Sequence, residues 1–170
     1  MVVFDSAVLL LFVDPNAKSD IDQAAKRIEY LIETLSADRE RIIIPTPVLS
    51  EILVHAGSAL QGYLDALNGS AAFRIAPFDQ KAAVECALAI KDALDRGGWR
   101  VDASDPGATR GKVKFDRQIV AIAKVEGAHT IYTDDDDVIG YAGLAGLKAR
   151  RTAELDPPPE DPQQSLDLDG

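Results

Sequence analysis

Four short apolar runs, each followed by residues with helical periodicity, constrain the fold of this chain more than any other feature. They are Val2-Val3-Phe4-Asp5-Ser6, Arg41-Ile42-Ile43-Ile44, Ala72-Phe73-Arg74-Ile75-Ala76 and His129-Thr130-Ile131-Tyr132. Each is rich in β-branched or aromatic residues and too short to be read as a helix. A fifth run, Leu147-Lys148-Ala149-Arg150, reads as a last edge strand. Between them, Ile21, Ala25, Ile28, Leu31, Ile32 and Leu35 share one helical face, on a helix that Ser19 caps with Asp22 in its first turn. Thr46 is placed as N-cap and Pro47 as first residue of a helix over Val48 to His55. Ser58 to Leu67 is a further short helix. Asp79 caps a long helix reaching Leu94, with Ala83, Cys86, Ala87, Ile90 and Leu94 inward. A helix over Phe115 to Lys124 has Ile119, Ile122 and Ala123 on one face, and Asp134 to Tyr141 is a short one. The order β-α-β-α-α-β-α-α-β-α-β predicts an α/β fold: a single three-layer α/β/α domain around a central parallel sheet of four to five strands.

At 170 residues the chain is long enough for one domain with a sizeable core. A net charge of −10 argues, on its face, against a nucleic-acid binder. Much of that excess is local. From Glu154 onward come Glu154, Asp156, Glu160, Asp161, Asp167 and Asp169 with no Lys or Arg, and Pro157-Pro158-Pro159 lies among them. Residues 1–150 read as the domain and 151–170 as an acidic, proline-rich tail, disordered from Asp156. The single cysteine, Cys86, forms no internal disulfide and fits a cytoplasmic location. Asp5 interrupts the apolar N-terminus and no basic residue precedes it, which argues against a secretory signal. No apolar run approaches the length of a membrane span.

The segment Ile131-Tyr132-Thr133-Asp134-Asp135-Asp136-Asp137-Val138 runs from a strand into four consecutive carboxylates. Adjacent carboxylates repel, and a divalent cation is the obvious offset. A solvated acidic turn capping the next helix would use the same residues. In parallel α/β folds, sites collect at the carboxyl ends of the strands. Applied here, that rule gathers Asp5 after the first strand, Glu51 in the helix after the second, Asp116 in the first turn of the helix before the fourth, and Asp134–Asp137 after the fourth. Each has a plain alternative. Asp5 could cap a turn, although an unpaired acid is costly to bury in that run. Glu51 alone is an ordinary solvated helix residue, and Asp116 could simply complement a helix dipole. It is the combination that points to a metal. His55, one turn beyond Glu51, reads as a surface or packed residue, and His129 lies at the wrong end of its strand. Trp99, after Gly97-Gly98, could stack on a base or pack the loop.

On Val3-Phe4-Asp5-Ser6, Pro45-Thr46-Pro47-Val48-Leu49-Ser50-Glu51-Ile52, Phe115-Asp116-Arg117-Gln118-Ile119-Val120-Ala121-Ile122-Ala123 and Ile131-Tyr132-Thr133-Asp134-Asp135, the chain resembles the PIN domain nucleases, most of all the VapC-type toxins. The resemblance covers roughly Val2 to Ala149. It implies a parallel sheet flanked by helices and metal-dependent cleavage of RNA by a toxin that an antitoxin restrains, with a homodimer expected. Carried over residue by residue, it implies Asp5, Glu51, Asp116 and Asp135 as the acids, Asp137 as an auxiliary, and Ser6 and Thr133 as their support. The sequence departs from the family at Asp134, where a basic or small residue is usual, and at Val138, where an aromatic is common. The loop from Arg96 to Lys114 is longer than in a compact toxin. The extra acids leave open which of Asp134–Asp137 faces a metal.

The chemistry supports the same assignment. Hydrolysis of a phosphodiester needs an activated water and stabilised charge, which one or two Mg²⁺ or Mn²⁺ ions supply. Such hard cations want oxygen ligands. Asp5 is expected on the first ion, completed by Asp116 and Asp135. Glu51, with Asp116, is expected to hold a second ion or orient the water, and Ser6 and Thr133 to hydrogen-bond the carboxylates. Arg100, Arg110, Lys112 and Lys114, in the loop and strand-like lead-in before Asp116, either contact RNA phosphates or balance the nearby acids. A haloacid dehalogenase-type phosphotransferase is excluded because Ala7 stands where it needs a second Asp. A response-regulator receiver lacks its acid pair, and an EF-hand loop fails at Ile139. A non-catalytic PIN-like binding module and a DNA- or flap-directed nuclease remain as alternatives.

Overall fold

The computed structural model of the chain describes residues 1–105 and 107–159. Its strands are β1 (Val2–Phe4), β2 (Ile42–Pro45), β3 (Phe73–Ala76), β4 (Thr130–Tyr132) and β5 (Lys148–Arg150). They form one parallel sheet in the order β3-β2-β1-β4-β5. The helices are α1 (Ser6–Val13), α2 (Ala24–Ala37), α3 (Thr46–Ala56), α4 (Leu60–Asn68), α5 (Gln80–Arg96), α6 (Arg110–Val125) and α7 (Asp136–Leu144). α1 packs on α2, α3 and α4, and α6 packs on α5 and α7. The result is the three-layer α/β/α arrangement expected from the alternation. The central strands are apolar without alternation because both faces are covered: Val2, Val3, Phe4, Ile42, Ile43 and Ile44 are all fully buried. β5, at an edge, is half-exposed and carries Lys148 and Arg150, charges that discourage further strand pairing.

Register positions the site. β1 and β4 pair Val2 with Thr130, Val3 with Ile131 and Phe4 with Tyr132. The next residue on each strand, Asp5 and Thr133, therefore leaves the sheet side by side. The Asp5 amide donates to the Tyr132 carbonyl at 3.0 Å and holds that alignment one step past the strand.

Several elements differ from the sequence reading. α1 was not expected, because Ser6–Val13 is apolar on nearly every face and offers no helical period. α2 starts at Ala24 behind Gln23, which has a left-handed backbone, so Asp22 lies outside the helix. Ser19 instead closes a turn by accepting from the Ile21 amide. Thr46 is the first helical residue rather than a cap, and its hydroxyl accepts from the Phe78 amide at 3.0 Å. The inward face of α5 is Ala82, Cys86 and Ala93, while Leu94 is exposed. Small residues there admit α6 closely, so the larger side chains point outward. α6 begins at Arg110, five residues earlier than expected, which moves Asp116 into its second turn and puts Lys112 and Lys114 on the helix.

The ordered chain also continues past residue 150. Thr152–Glu154 form a 3₁₀ turn, Thr152 and Leu155 are buried, and the Leu155 carbonyl accepts from Arg27 on α2. Residues 151–155, read from sequence as the start of the tail, thus pack against the domain. The stretch 160–170, read as disordered, lies outside the described residues. No described helix is long and apolar enough to cross a membrane.

Candidate metal centre

Asp5 caps α1. One carboxylate oxygen, Oδ1, accepts from the Ser6 amide at 2.6 Å and from the Ser6 hydroxyl at 3.3 Å; Oδ2 accepts from the Thr133 hydroxyl at 2.6 Å. Thr133 is fully buried, and its hydroxyl oxygen also accepts from the Asp135 amide at 3.0 Å. Asp5 is only 4 % exposed, and no Lys or Arg pairs with it among the described residues. Burial pushes its carboxyl up from the usual range, the hydrogen bonds from Thr133 and Ser6 work against that, and the charges of Asp135 and Glu51 add to it.

Asp135 caps α7, accepting from the Asp137 amide at 2.7 Å and the Val138 amide at 3.3 Å. The four consecutive acids then divide by face. Asp135 and Asp137 turn inward with Asp116, and one oxygen from each of the three lies within 4.8 Å of the others. Asp134 turns outward, accepting from the amide and hydroxyl of Thr152 at 2.9 and 2.7 Å, and Asp136 pairs with Arg151. Asp137 is 1 % exposed. Burial alone would raise its carboxyl, but Lys112 and the hydroxyl and amide of Ser104 outweigh burial and hold it below the usual range. For Asp116 burial wins over Lys112, and its carboxyl is pushed up to about 6.

The Lys112 ammonium sits among the inward acids, 2.8 Å from Asp116, 3.0 Å from Asp135 and 2.7 Å from Asp137. Three acceptors match its three donors. Lys112 stands one turn before Asp116 on α6, a spacing that makes the two neighbours on one helical face.

A cavity of about 420 Å³ opens onto this group. Asp5, Ser6, Glu51, Asp116, Asp135 and Lys112 line it together with Val54, His55 and Phe115. Asp5 and Asp116, whose shared pocket the sequence argument required, both line it. Glu51 is exposed and stands outside the close triad. His129 lies at the far end of the sheet, paired with Glu40.

The four expected RNA-contacting residues do not form one patch. Lys112 is held by the acids. Lys114 is exposed, and its charge is felt by Cys86 on α5. Arg110 lies over the Trp99 ring at 5.8 Å, and Arg100 donates to the Ala108 carbonyl, so these two line a separate cavity with Gly97 and Gly98.

Two groups were missed from sequence. Ser104 lies in a loop with no periodicity to mark it. Asp102, in the same loop, bridges Arg96 at 2.6 Å and Arg117 at 3.0 Å. Arg117 is buried and stacks on Tyr141, with its guanidinium 4.2 Å from the ring centre. This clamp draws the loop onto α5 and α6, where Ser104 reaches Asp137. The spacing of Lys112 and Asp116 was a readable signal for an ion pair, but only once the helix is known to start at Arg110.

The donor set fits a hard divalent cation. Every converging atom is a carboxylate oxygen, the geometry already accommodates one cationic group, and the buried Asp5 adds an acid that no cation in the described structure reaches.

No protein-family model matches the chain, and no curated protein matches it. Solved structures do. A chain in FitAB bound to an IR36 DNA fragment matches with a TM-score of 0.61 at 18% identity, covering 92% of this chain and 98% of its own. A chain in VapBC2 from Rickettsia felis, bound to a DNA fragment from their promoter, matches with a TM-score of 0.61 at 16% identity over 89% and 98%. DNA-bound VapBC from Salmonella typhimurium gives 0.57 at 13% over 89% and 97%. At these identities, what the three share with this chain is its α/β fold.

Proposed function

We propose that this protein is a Mg²⁺- or Mn²⁺-dependent endoribonuclease and the toxin of a VapBC-type toxin–antitoxin pair, acting in the cytoplasm. The observation that carries the reading is the convergence of Asp5, Glu51, Asp116 and Asp135 on one cavity at the carboxyl edge of the sheet, with Asp137 beside them. Asp5, Asp116 and Asp135 would hold one ion, with Asp137 as auxiliary, and Glu51 at the rim would hold a second or orient the attacking water. A divalent ion there supplies charge at the scissile phosphate and acidifies water.

The chain's own groups do the rest. Ser6 and Thr133 fix the rotamer of Asp5, and Ser104 fixes that of Asp137. Arg110 follows Trp99 in space and precedes the cavity-lining Gly111 in sequence, which suits the pair to a phosphate and a base of bound RNA. The solved structures of like fold are complexes named FitAB and VapBC, which supports an antitoxin partner here; a homodimer is proposed on the resemblance alone.

One observation favours a second reading, a PIN-like module without catalysis: Lys112 already neutralises part of the acid cluster. Purified protein incubated with labelled RNA, single-stranded DNA and flap DNA separates the two. The expected result is metal-dependent cleavage of RNA, abolished by chelation. Asp5→Asn, Asp116→Asn and Asp135→Asn should each slow it about 100-fold or more, the scale of losing several kcal/mol of charge stabilisation. A protein that binds Mn²⁺ in calorimetry and cuts none of the three substrates is a binding module.

A further inference from the structure

Among the described residues, Lys112 is the one cation in contact with the inward acids, and its environment is lopsided. Two of the carboxylates around it are anchored by groups other than the lysine, Asp135 among them although its side chain is 33 % exposed. The side chains of Asp116 and Asp137 are 9 % and 2 % exposed, Asp137 is anchored by Ser104 and Asp135 by two amides of α7. Lys112 is different: its side chain is 39 % exposed and rides on a flexible four-carbon stem beside the open cavity. If one partner leaves, it is the lysine, whose stem can carry the ammonium into the open cavity while the anchored acids stay in place.

The ammonium and a divalent ion also compete for the same oxygens. Three carboxylate oxygens within 4.8 Å of one another leave no room for two cations in direct contact with all of them, and two such cations would repel strongly in a partly buried site. The ammonium satisfies Asp116, Asp135 and Asp137 but leaves Asp5 without a positive partner among the described residues. A divalent ion offers more charge and a place for that fourth acid.

We propose that Lys112 is a tethered competitor for the metal: its ammonium holds the three acids together until a divalent ion is bound, and metal loading requires it to swing out into the cavity. Lys112 thereby sets the metal affinity and keeps the acid cluster intact without an ion. This rests on the metal-centre reading, and the tests below are chosen so that the two fail separately.

The first measurement is calorimetric titration of the full chain with Mn²⁺, for wild type and Lys112→Met. The variant removes the competitor and should bind Mn²⁺ about tenfold more tightly or better, since a tenfold change corresponds to only about 1.4 kcal/mol. The second needs no substitution. Wild-type protein is treated with acetic anhydride with and without saturating Mn²⁺, and modification of individual lysines is read by mass spectrometry. Lys112 should react several-fold faster with the metal present, while Lys114, whose side chain is exposed on the same helix, should not change. If Lys112→Met does not fold, the labelling decides alone, and it also decides where the two readouts disagree. Mn²⁺ binding by wild type with no gain in Lys112 reactivity overturns the proposal and leaves the metal centre standing. Failure of both proteins to bind Mn²⁺ removes the metal centre and the proposal together.

Discussion

Asp134 and Asp135 are adjacent in sequence and have unrelated roles. Asp134 ties down residues 151–152, whereas Asp135 caps α7 and faces the cavity. Asp134→Ala strips a carboxylate that accepts two hydrogen bonds and should cost about 1–3 kcal/mol in urea unfolding, with Mn²⁺ affinity kept. Asp135→Asn should do the reverse. Asn caps a helix as well as Asp does, so stability should hold within about 0.5 kcal/mol while Mn²⁺ affinity falls. Equal loss of Mn²⁺ affinity in both variants would mean that the cluster acts only through its summed charge. This division was not legible in the sequence. Four identical residues carry no internal contrast, and the face each takes is decided by Thr152 and Arg151, which the sequence reading had assigned to a tail. Asp5 was legible, because an acid following a fully apolar run needs a specific reason to be there.

At the level of elements, the strands were readable and the helix boundaries were not, for reasons that differ from one helix to the next. Ile42-Ile43-Ile44 admits little but a buried strand. In Lys112-Val113-Lys114-Phe115, polar and apolar residues alternate with period two, which imitates a strand, yet Thr109 caps a helix there by accepting from the Lys112 amide at 3.1 Å. On α5 the face read from sequence was right at Cys86 but not at Ala87 and Leu94, which are exposed, while Ala82 and Ala93 are buried instead. The loop residues 97–105 had no period to read, and they are held by chemistry instead. Arg96 and Arg117 keep the Asp102 carboxyl below its ordinary value of 3.8, against the effect of burial. A depressed folded-state value means that the clamp's contribution is complete above the unfolded value and is lost as the pH falls through the folded one. The stability difference between wild type and Asp102→Asn, measured by urea unfolding, should be constant near pH 6 and shrink toward about pH 3. A difference that is flat across that range would show the clamp to be a matter of shape rather than charge.

For the whole molecule, the boundary of the domain is set by packing rather than by composition. The acidic, proline-rich character that begins near residue 154 suggested that the core had ended, yet Leu155 is 4 % exposed. Leu155→Ala should therefore lower stability by about 2–5 kcal/mol in urea unfolding, the range for a buried leucine. A loss near zero would return residues 151–155 to the tail. Part of the net charge of −10 is likewise a converging cluster, Asp116, Asp135 and Asp137, rather than a dispersed surface. The pairing of β1 with β4 has a temporal side as well. Asp5 and Thr133 are 128 positions apart, so that whole intervening stretch must be synthesised before the first acid meets the hydroxyl that steadies it. Non-local closures of this kind are slow to form. A growing chain that stops short of β4 and Asp135 therefore has no assembled cavity, and the converging acids come into being only once that late-paired strand has docked beside β1.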